Sequence, residues 1–136
     1  MDENKTKIYR GKSLNEKIKL FFGREYFQSR IILWLLFLTA LFNLVDWVLL
    51  KIFLRSGEKL IILHYNVYFG VDSLGVSRGA YLLPSIGLIV LILNFILSFY
   101  FYVQKERIAS YILLLTALMV QLSLLISVVS VIIINY

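Results

Sequence analysis

Three long apolar stretches constrain this chain more than any other feature of its sequence. They run from Ile31 to Leu50, from Leu82 to Val103 and from Ile108 to Ile134, and Asp46 is the only formally charged side chain within them. An α-helix needs roughly 20 apolar residues to cross the hydrocarbon core of a bilayer. A soluble domain of 136 residues is too small to bury three such helices. The sequence therefore predicts an all-α membrane protein with three transmembrane helices.

The composition supports this prediction and excludes several kinds of site. Hydrophobic residues make up 60% of the chain, charged residues 16%, and the mean hydropathy is +0.84. Soluble domains average about 45–50% apolar and about 25% charged residues. The chain has no cysteine and one histidine, His64, which excludes disulfides, thiolate nucleophiles and a metal site with several histidines from one chain. We expect no cofactor.

Basic residues are concentrated at the start of the chain. The net charge is +6, and eight of the fourteen Lys and Arg residues lie within positions 1–30. Such clustering is typical of a segment held at the cytoplasmic face by anionic lipid, so we expect a lipid bilayer and no nucleic acid as partner. Lys105 and Arg107 fall on the same side, which places the N-terminus in the cytoplasm and the C-terminus outside. The membrane is expected to be the plasma (inner) membrane.

Residues 1–30 are predicted to form a basic cytoplasmic leader with an amphipathic helix. The run Ser13-Leu14-Asn15-Glu16 has the pattern of a capping box, in which a hydroxyl and a carboxylate satisfy free amides at a helix start. Aromatic and aliphatic residues then recur at helical spacing, as in helices that lie in the interface plane. These residues are Leu14, Ile18, Phe21, Phe22 and Tyr26. Residues 31–136 form the transmembrane domain, with spans at about 31–54, 81–103 and 108–135.

The loop between the first two spans contains a distinctive run, His64 to Asp72. Residues 63–69 alternate with a period of two, which predicts one strand or an extended interfacial segment, with no second strand evident. The run is either a surface that recognises a partner or a cap that lies on the bilayer. His64 and Asp72 have the chemistry of an acid–base pair, without a nucleophile at a suitable spacing. The candidates for partner recognition are His64, Tyr65, Asn66, Tyr68 and Asp72.

Small and polar residues form a stripe along each apolar span. Helices associate in lipid through close packing of small residues and interhelical hydrogen bonds. We expect the stripes to face one another within the bundle; contacts with another subunit and a polar pathway are the alternatives. The first stripe contains Thr39, Asn43 and Asp46, the second Gly87, Asn94 and Ser98, and the third Thr116, Ser123, Ser127 and Ser130, with Gln121 nearby.

Asp46 is the strongest single indication of function in the spans. An ionisable group at membrane depth costs about 2.5–3.5 kcal/mol on insertion scales, so a compensating interaction is expected. Asp46 lies in the outer third of its span, where water, His64, Lys51 or a loop arginine can reach it and form an ion pair or an interfacial hydrogen bond. The alternative is a proton or cation relay that uses Asp46 with Asn43, one helical turn away.

The run LHYNVYFGVDSLG, residues 63–75, resembles a stretch of uncharacterised small multi-pass bacterial membrane proteins from reduced genomes. The resemblance covers about one tenth of the chain. It implies a bacterial plasma-membrane protein with a shared outer loop, and it assigns no role to any residue.

The sequence therefore leaves two hypotheses for the function. The first is a non-enzymatic scaffold or accessory subunit of a membrane complex, which binds a membrane-protein partner or a second copy of itself. The second is a small transport or proton-relay subunit that uses Asp46.

Overall fold

The computed structural model describes residues 25–54 and 60–135. The predicted capping box and most of the predicted amphipathic helix lie outside these residues. Within the described part of the leader, one short helix is present, α1 (Glu25–Gln28).

Three long helices make up most of the described chain: α2 (Arg30–Phe53), α3 (Leu82–Val103) and α4 (Arg107–Asn135). Their ends lie within one residue of the spans expected from hydropathy. A 3-10 turn, Ser77–Tyr81, leads directly into α3. All three helices are long and apolar enough to cross a membrane, which confirms this part of the predicted fold.

Each long helix buries a narrow stripe and exposes most of its apolar surface. In α2 the buried positions follow steps of seven, four, three and four residues, which keeps them on one face. Large apolar side chains on the other faces point outward; Trp34 is 65% exposed and Ile126 is 68% exposed. A surface of this kind is stable in lipid, where apolar side chains need no burial. The α2 stripe consists of Ile32, Thr39, Asn43, Asp46 and Leu50.

The turn between α3 and α4 holds Lys105 in a left-handed backbone conformation, with φ of 68°. The amide of Glu106 donates to the Phe101 carbonyl at 3.0 Å, and the amide of Lys105 donates to the Tyr102 carbonyl at 3.0 Å. This is the Schellman pattern that closes many helices. Glycine is preferred at this position because a side chain costs roughly 1–2 kcal/mol in the left-handed region. Lys105 therefore goes against the local backbone preference.

The loop between α2 and α3 is an antiparallel hairpin of β1 (Leu60–Asn66) and β2 (Gly70–Val76). The expectation of a single strand was wrong because the alternating pattern continues across the turn. Residues 67–69 form the loop, and Gly70, which follows it, has φ of 79°, a left-handed conformation that glycine adopts without steric cost. Asn66 Oδ1 accepts the Tyr68 amide at 2.9 Å, an Asx turn that starts the loop.

A bulge in β1 joins the hairpin to the helices. Leu63 has no partner in β2, since the strand register shifts beside it. Its side chain lies against Gly75 and Gly79, where added methyl groups would meet it. It also packs on a buried apolar cluster that includes Leu50 and Val128. The hairpin is therefore fixed over the ends of the helices, and we call this the hairpin end of the bundle; the opposite end is the Glu25 end.

Asn135, the last residue of α4, holds β1 by two hydrogen bonds. Its Oδ1 accepts the Ile62 amide at 2.8 Å, and its Nδ2 donates to the Ile62 carbonyl at 2.7 Å. The same Nδ2 also donates to the Val131 carbonyl at 2.8 Å. One side-chain amide thus satisfies both backbone groups of a strand residue.

We predict that Asn135→Ala loosens the hairpin without unfolding the helices. Losing two hydrogen bonds to Ile62 costs hairpin docking about 1–3 kcal/mol. Hydrogen exchange read by mass spectrometry is expected to accelerate in residues 60–76 only. The matched control is Asn94→Ala, because Asn94 Nδ2 donates to the Val90 carbonyl of its own helix at 2.9 Å. Equal exchange of the hairpin in both variants would contradict this assignment.

Candidate functional site

A buried amide network lies midway along the bundle and joins all three long helices. Asn43 Nδ2 donates to the Pro84 carbonyl at 2.9 Å and to Gln121 Oε1 at 3.4 Å. Gln121 Nε2 donates to the Gly87 carbonyl at 2.8 Å. Two side chains from α2 and α4 therefore bond to the backbone of α3, using carbonyl lone pairs that the helix leaves free. Gln121 was expected to serve helix packing, and it is fully buried here.

Gly87 provides the space for this network. A methyl group at Gly87 would lie 2.8 Å from Gln121 Oε1, 2.9 Å from Asn43 Nδ2 and 2.8 Å from a Leu124 methyl carbon. All three distances are shorter than van der Waals contact. The helices can therefore approach this closely only because Gly87 has no side chain.

Asp46 lies one turn beyond Asn43 on the same buried face, and its side chain is fully buried. Neither carboxyl oxygen has a hydrogen-bond partner among the described residues. The expected ion pair with His64 or Lys51 is not formed. His64 instead contacts Asp72, and Lys51 lies five residues along α2, about 140° around the helix from Asp46. Among residues 25–54 and 60–135, no hydrogen bond or ion pair therefore compensates the burial of the Asp46 carboxyl group.

A second polar cluster closes the Glu25 end of the bundle. Ser98 Oγ lies 2.7 Å from Ser110 Oγ and 3.0 Å from the Tyr26 hydroxyl. Tyr26 is 1% exposed, and rings of Phe95, Phe99 and Tyr102 surround it edge-on. Burial raises the pKa of the Tyr26 phenol, and the hydrogen bond with Ser98 opposes that shift. The phenol therefore stays neutral.

Sequence reasoning identified Ser98 but placed Tyr26 in the interface plane and did not single out Ser110. The sequence signal that could have identified Ser110 is the short polar turn after α3. This turn makes α3 and α4 antiparallel neighbours and brings Ser98 opposite Ser110. The role of Tyr26 depends on the path of the chain before α2, which helical periodicity does not specify.

Five residues expected to pack the helices together bond to the backbone of their own helix instead. Ser123 and Ser127 are exposed, and their hydroxyls donate to the Met119 and Ser123 carbonyls of their own helix at 3.0 Å each. Thr116 and Ser130 follow the same pattern. Asn94 is half-buried and bonds to its own helix. The prediction that the α4 hydroxyl stripe faces the other helices is wrong, because the stripe lies on the outward face.

The hairpin brings together the residues that sequence reasoning proposed for recognition. His64 Nδ1 lies 2.7 Å from Asp72 Oδ1, and both side chains are exposed. Asn66 shapes the loop, and Tyr68 is 91% exposed at its tip. Within the described chain no group of three or more potential metal ligands occurs. The geometry provides a histidine–aspartate pair and an aromatic tip.

A groove of about 390 Å³ separates the hairpin from the outward faces of α3 and α4. Its walls come from β1 on one side and from the α4 hydroxyl stripe on the other. This groove brings His64 and Tyr65 near Ser127, three residues that the sequence alone does not connect. The hydroxyls of Ser127 and Ser130 in this wall already donate to helix carbonyls, so they offer a ligand only acceptor lone pairs. Its polar walls are His64, Tyr65, Ser127 and Ser130; its apolar walls are Leu63, Leu83, Ile126, Val131 and Ile134.

Comparisons of the chain with protein-family models, with curated proteins and with solved structures found no significant match. The resemblance of residues 63–75 to small multi-pass bacterial membrane proteins therefore stays a prediction.

We predict that Gly87→Ala destabilises the bundle. Alanine is the better helix former, so intrinsic propensity alone would favour the variant. Displacement of Asn43, Gln121 and Leu124 outweighs that gain, with an expected net loss of about 1–3 kcal/mol. The measurement is thermal or denaturant unfolding in a neutral detergent.

Gly79→Ala is the matched control, because a methyl group there meets its nearest neighbour, a Leu63 methyl carbon, at 3.4 Å. That distance is ordinary van der Waals contact. The unfolding midpoint of the Gly79→Ala protein should therefore remain close to that of the unmodified protein. A Gly87→Ala protein as stable as this control would show that the network tolerates a side chain.

Proposed function

We propose that this protein is a non-enzymatic integral membrane protein that acts as a scaffold or accessory subunit of a membrane complex. The observation that carries the proposal is the hairpin, which is docked on the helices and has an exposed aromatic tip. Val67, Tyr68 and Phe69 are 85%, 91% and 86% exposed. A surface of large side chains held on a fixed element is the kind that other proteins recognise.

The hairpin is fixed too firmly to be a loose connecting loop. Leu63 anchors it in the apolar cluster, and Asn135 holds Ile62 by both backbone groups. A pre-ordered surface loses little conformational entropy when it binds, which favours affinity. The tip residues are almost fully exposed and contribute little to the packing of the bundle, so recognition explains large side chains at the tip better than folding does.

The outward hydroxyl stripe of α4 supports the same proposal. Ser123, Ser127 and Ser130 place small side chains on a face that packs against no other helix of the described chain. Small residues allow a helix from another subunit to approach closely in lipid. A neighbouring membrane protein or a second copy of this chain would find this stripe on one wall of the groove and the hairpin on the other.

The distribution of basic residues sets the proposed orientation. Lys105 and Arg107 lie at the Glu25 end, and eight further Lys and Arg residues fall within positions 1–30 of the sequence, so the positive-inside rule favours that end in the cytoplasm. The hairpin end and the end of α4 then face outward. The proposed location is a bacterial plasma membrane.

We predict that replacing Tyr65 and Tyr68 by Ala abolishes contact with the partner. The assay is crosslinking of the tagged full-length chain in native membranes, followed by mass spectrometry. A crosslinked species that includes hairpin residues should disappear in the double variant, because its aromatic contact area is lost. Tyr100→Ala is the control, since Tyr100 is 56% exposed on α3 and lies near the Glu25 end. Persistence of that crosslinked species in the double variant would contradict the scaffold proposal.

A second candidate function rests on the uncompensated carboxyl group of Asp46. A buried acid without a partner is expensive in a membrane, and such groups commonly serve ion or proton pathways. The Asn43 amide lies one turn away on the same face. In this function Asp46 would accept and release a proton within an oligomer. The second candidate is weaker, because one carboxyl group without internal sequence repeats is an unusual basis for a transporter.

We predict that Asp46→Asn distinguishes the two functions. It preserves shape and removes the titratable group, so a relay would lose all proton flux in reconstituted vesicles under a pH gradient. A scaffold would keep its crosslinked partner. Thr39→Val is the matched control, because Thr39 is a buried polar residue of the same face whose hydroxyl donates only to the Leu35 carbonyl, at 2.6 Å. Flux equal to that of the unmodified protein would eliminate the relay.

A further inference from the structure

A cavity of about 630 Å³ lies at the Glu25 end of the bundle, where α1 meets the turn between α3 and α4. It is separate from the hairpin groove and from the buried amide network. Its walls combine aromatic and aliphatic surface with three charged groups. The aromatic and aliphatic walls come from Tyr26, Phe99, Tyr102 and Val103, and the charged groups belong to Glu25, Lys105 and Arg107.

The charges of this cavity are unbalanced. Arg107 lies 3.1 Å from Glu25 Oε2, and its guanidinium lies 5.5 Å from the centre of the Tyr102 ring. These contacts fix the guanidinium and offset the Glu25 charge. Lys105 has no carboxylate partner among the residues that the structure describes. The cavity therefore carries one positive charge in excess and favours an anion.

The backbone at Lys105 is a second, independent observation. Its φ of 68° lies in the left-handed region, which glycine adopts without steric cost. The helix-closing hydrogen bonds of the turn would form equally well with glycine at this position. Lysine thus occupies a position where the backbone alone would favour glycine, and residues that go against a local preference are concentrated at functional sites.

We infer that this cavity binds the phosphodiester headgroup of an anionic phospholipid. Lys105 and Arg107 bind the phosphate oxygens, and Phe99, Tyr102 and Val103 contact the glycerol and the first carbons of the acyl chains. The apolar walls favour a lipid over free phosphate, because free phosphate has no apolar part that could contact them. The position also fits, because the cavity opens where α3 ends and α4 begins, at the level expected for headgroups. Aromatic residues are enriched at that level.

This inference rests on the proposed placement in a membrane but not on the scaffold role. A chain that stays monodisperse without detergent would overturn the placement itself. The test below compares lipids in detergent, and its failure leaves the hairpin experiment unaffected.

The test is native mass spectrometry of the full-length protein in neutral detergent, with phosphatidylglycerol and phosphatidylcholine added in equal amounts. The unmodified protein should retain phosphatidylglycerol in preference. Lys105→Gly should reduce that preference about fivefold, the factor expected from one basic residue near an anionic headgroup. Lys105→Arg should keep the preference. Lys51→Gln, which removes a charge at the opposite end of α2, should also keep it.

A measurement of thermal unfolding separates binding from folding. Lys105→Gly should unfold at the same or a higher temperature than the unmodified protein without lipid, because glycine relieves the left-handed backbone. Added phosphatidylglycerol should then raise the unfolding temperature of the unmodified protein more than that of the variant. Equal lipid preference in the Lys105→Gly and Lys51→Gln proteins would overturn the inference. Displacement of phosphatidylglycerol by millimolar inorganic phosphate would overturn it as well, since free phosphate would then be the ligand.

Discussion

The hydrogen bonds between side-chain amides and helix carbonyls in the middle of the bundle determine how the rest of this protein packs. In lipid, apolar side chains gain little by leaving the solvent, so helices need close contact and polar bonds to associate. Asn43 and Gln121 meet both needs, because they bond to the Pro84 and Gly87 carbonyls at a point where α3 presents no side chain. Each bond contributes roughly 0.6 kcal/mol on average and up to about 1.7 kcal/mol. Their combined effect is to fix the rotation of all three helices.

Once this rotation is fixed, the two ends of the molecule acquire different chemistry. The hairpin end is built on aliphatic packing around Leu50 and Val128, and it presents aromatic side chains outward. The Glu25 end is built on Tyr26 among other rings, with basic groups beside a cavity. In the function that we propose, one end contacts another protein and the other contacts charged lipid headgroups. This difference agrees with the asymmetry of the basic residues along the chain.

The sequence was informative about the positions of the helices and much less so about which of their faces pack together. Helix positions followed from runs of apolar residues, since the thickness of a bilayer imposes a length that few other structures share. The inward face of α2 was also predictable, because Thr39, Asn43 and Asp46 are the few polar groups there. The α4 serines gave the opposite result, because a serine that bonds to its own backbone can face lipid at little cost. Periodicity does not distinguish these two cases.

The hairpin was missed for a related reason. Asn66 and Gly70 are suitable residues for the two ends of a three-residue loop, yet the residues between them continue the alternating pattern. Its second strand contains two glycines and an aspartate, residues with low strand propensity. Close packing of Leu63 on Gly75 decides the structure there. Such contacts between positions far apart in the chain are not visible in local patterns.

The bonds between Asn135 and Ile62 also constrain the order of assembly, because 73 positions separate the two residues. The hairpin is synthesised before α3 and α4, but its docking partner is provided only when α4 has been made. Contacts between residues so distant in the chain form late, after the intervening segments have closed. During biogenesis the aromatic tip would therefore exist before it has a fixed position. A partner that recognises the docked hairpin would, by that fact alone, select chains in which α4 is already in place.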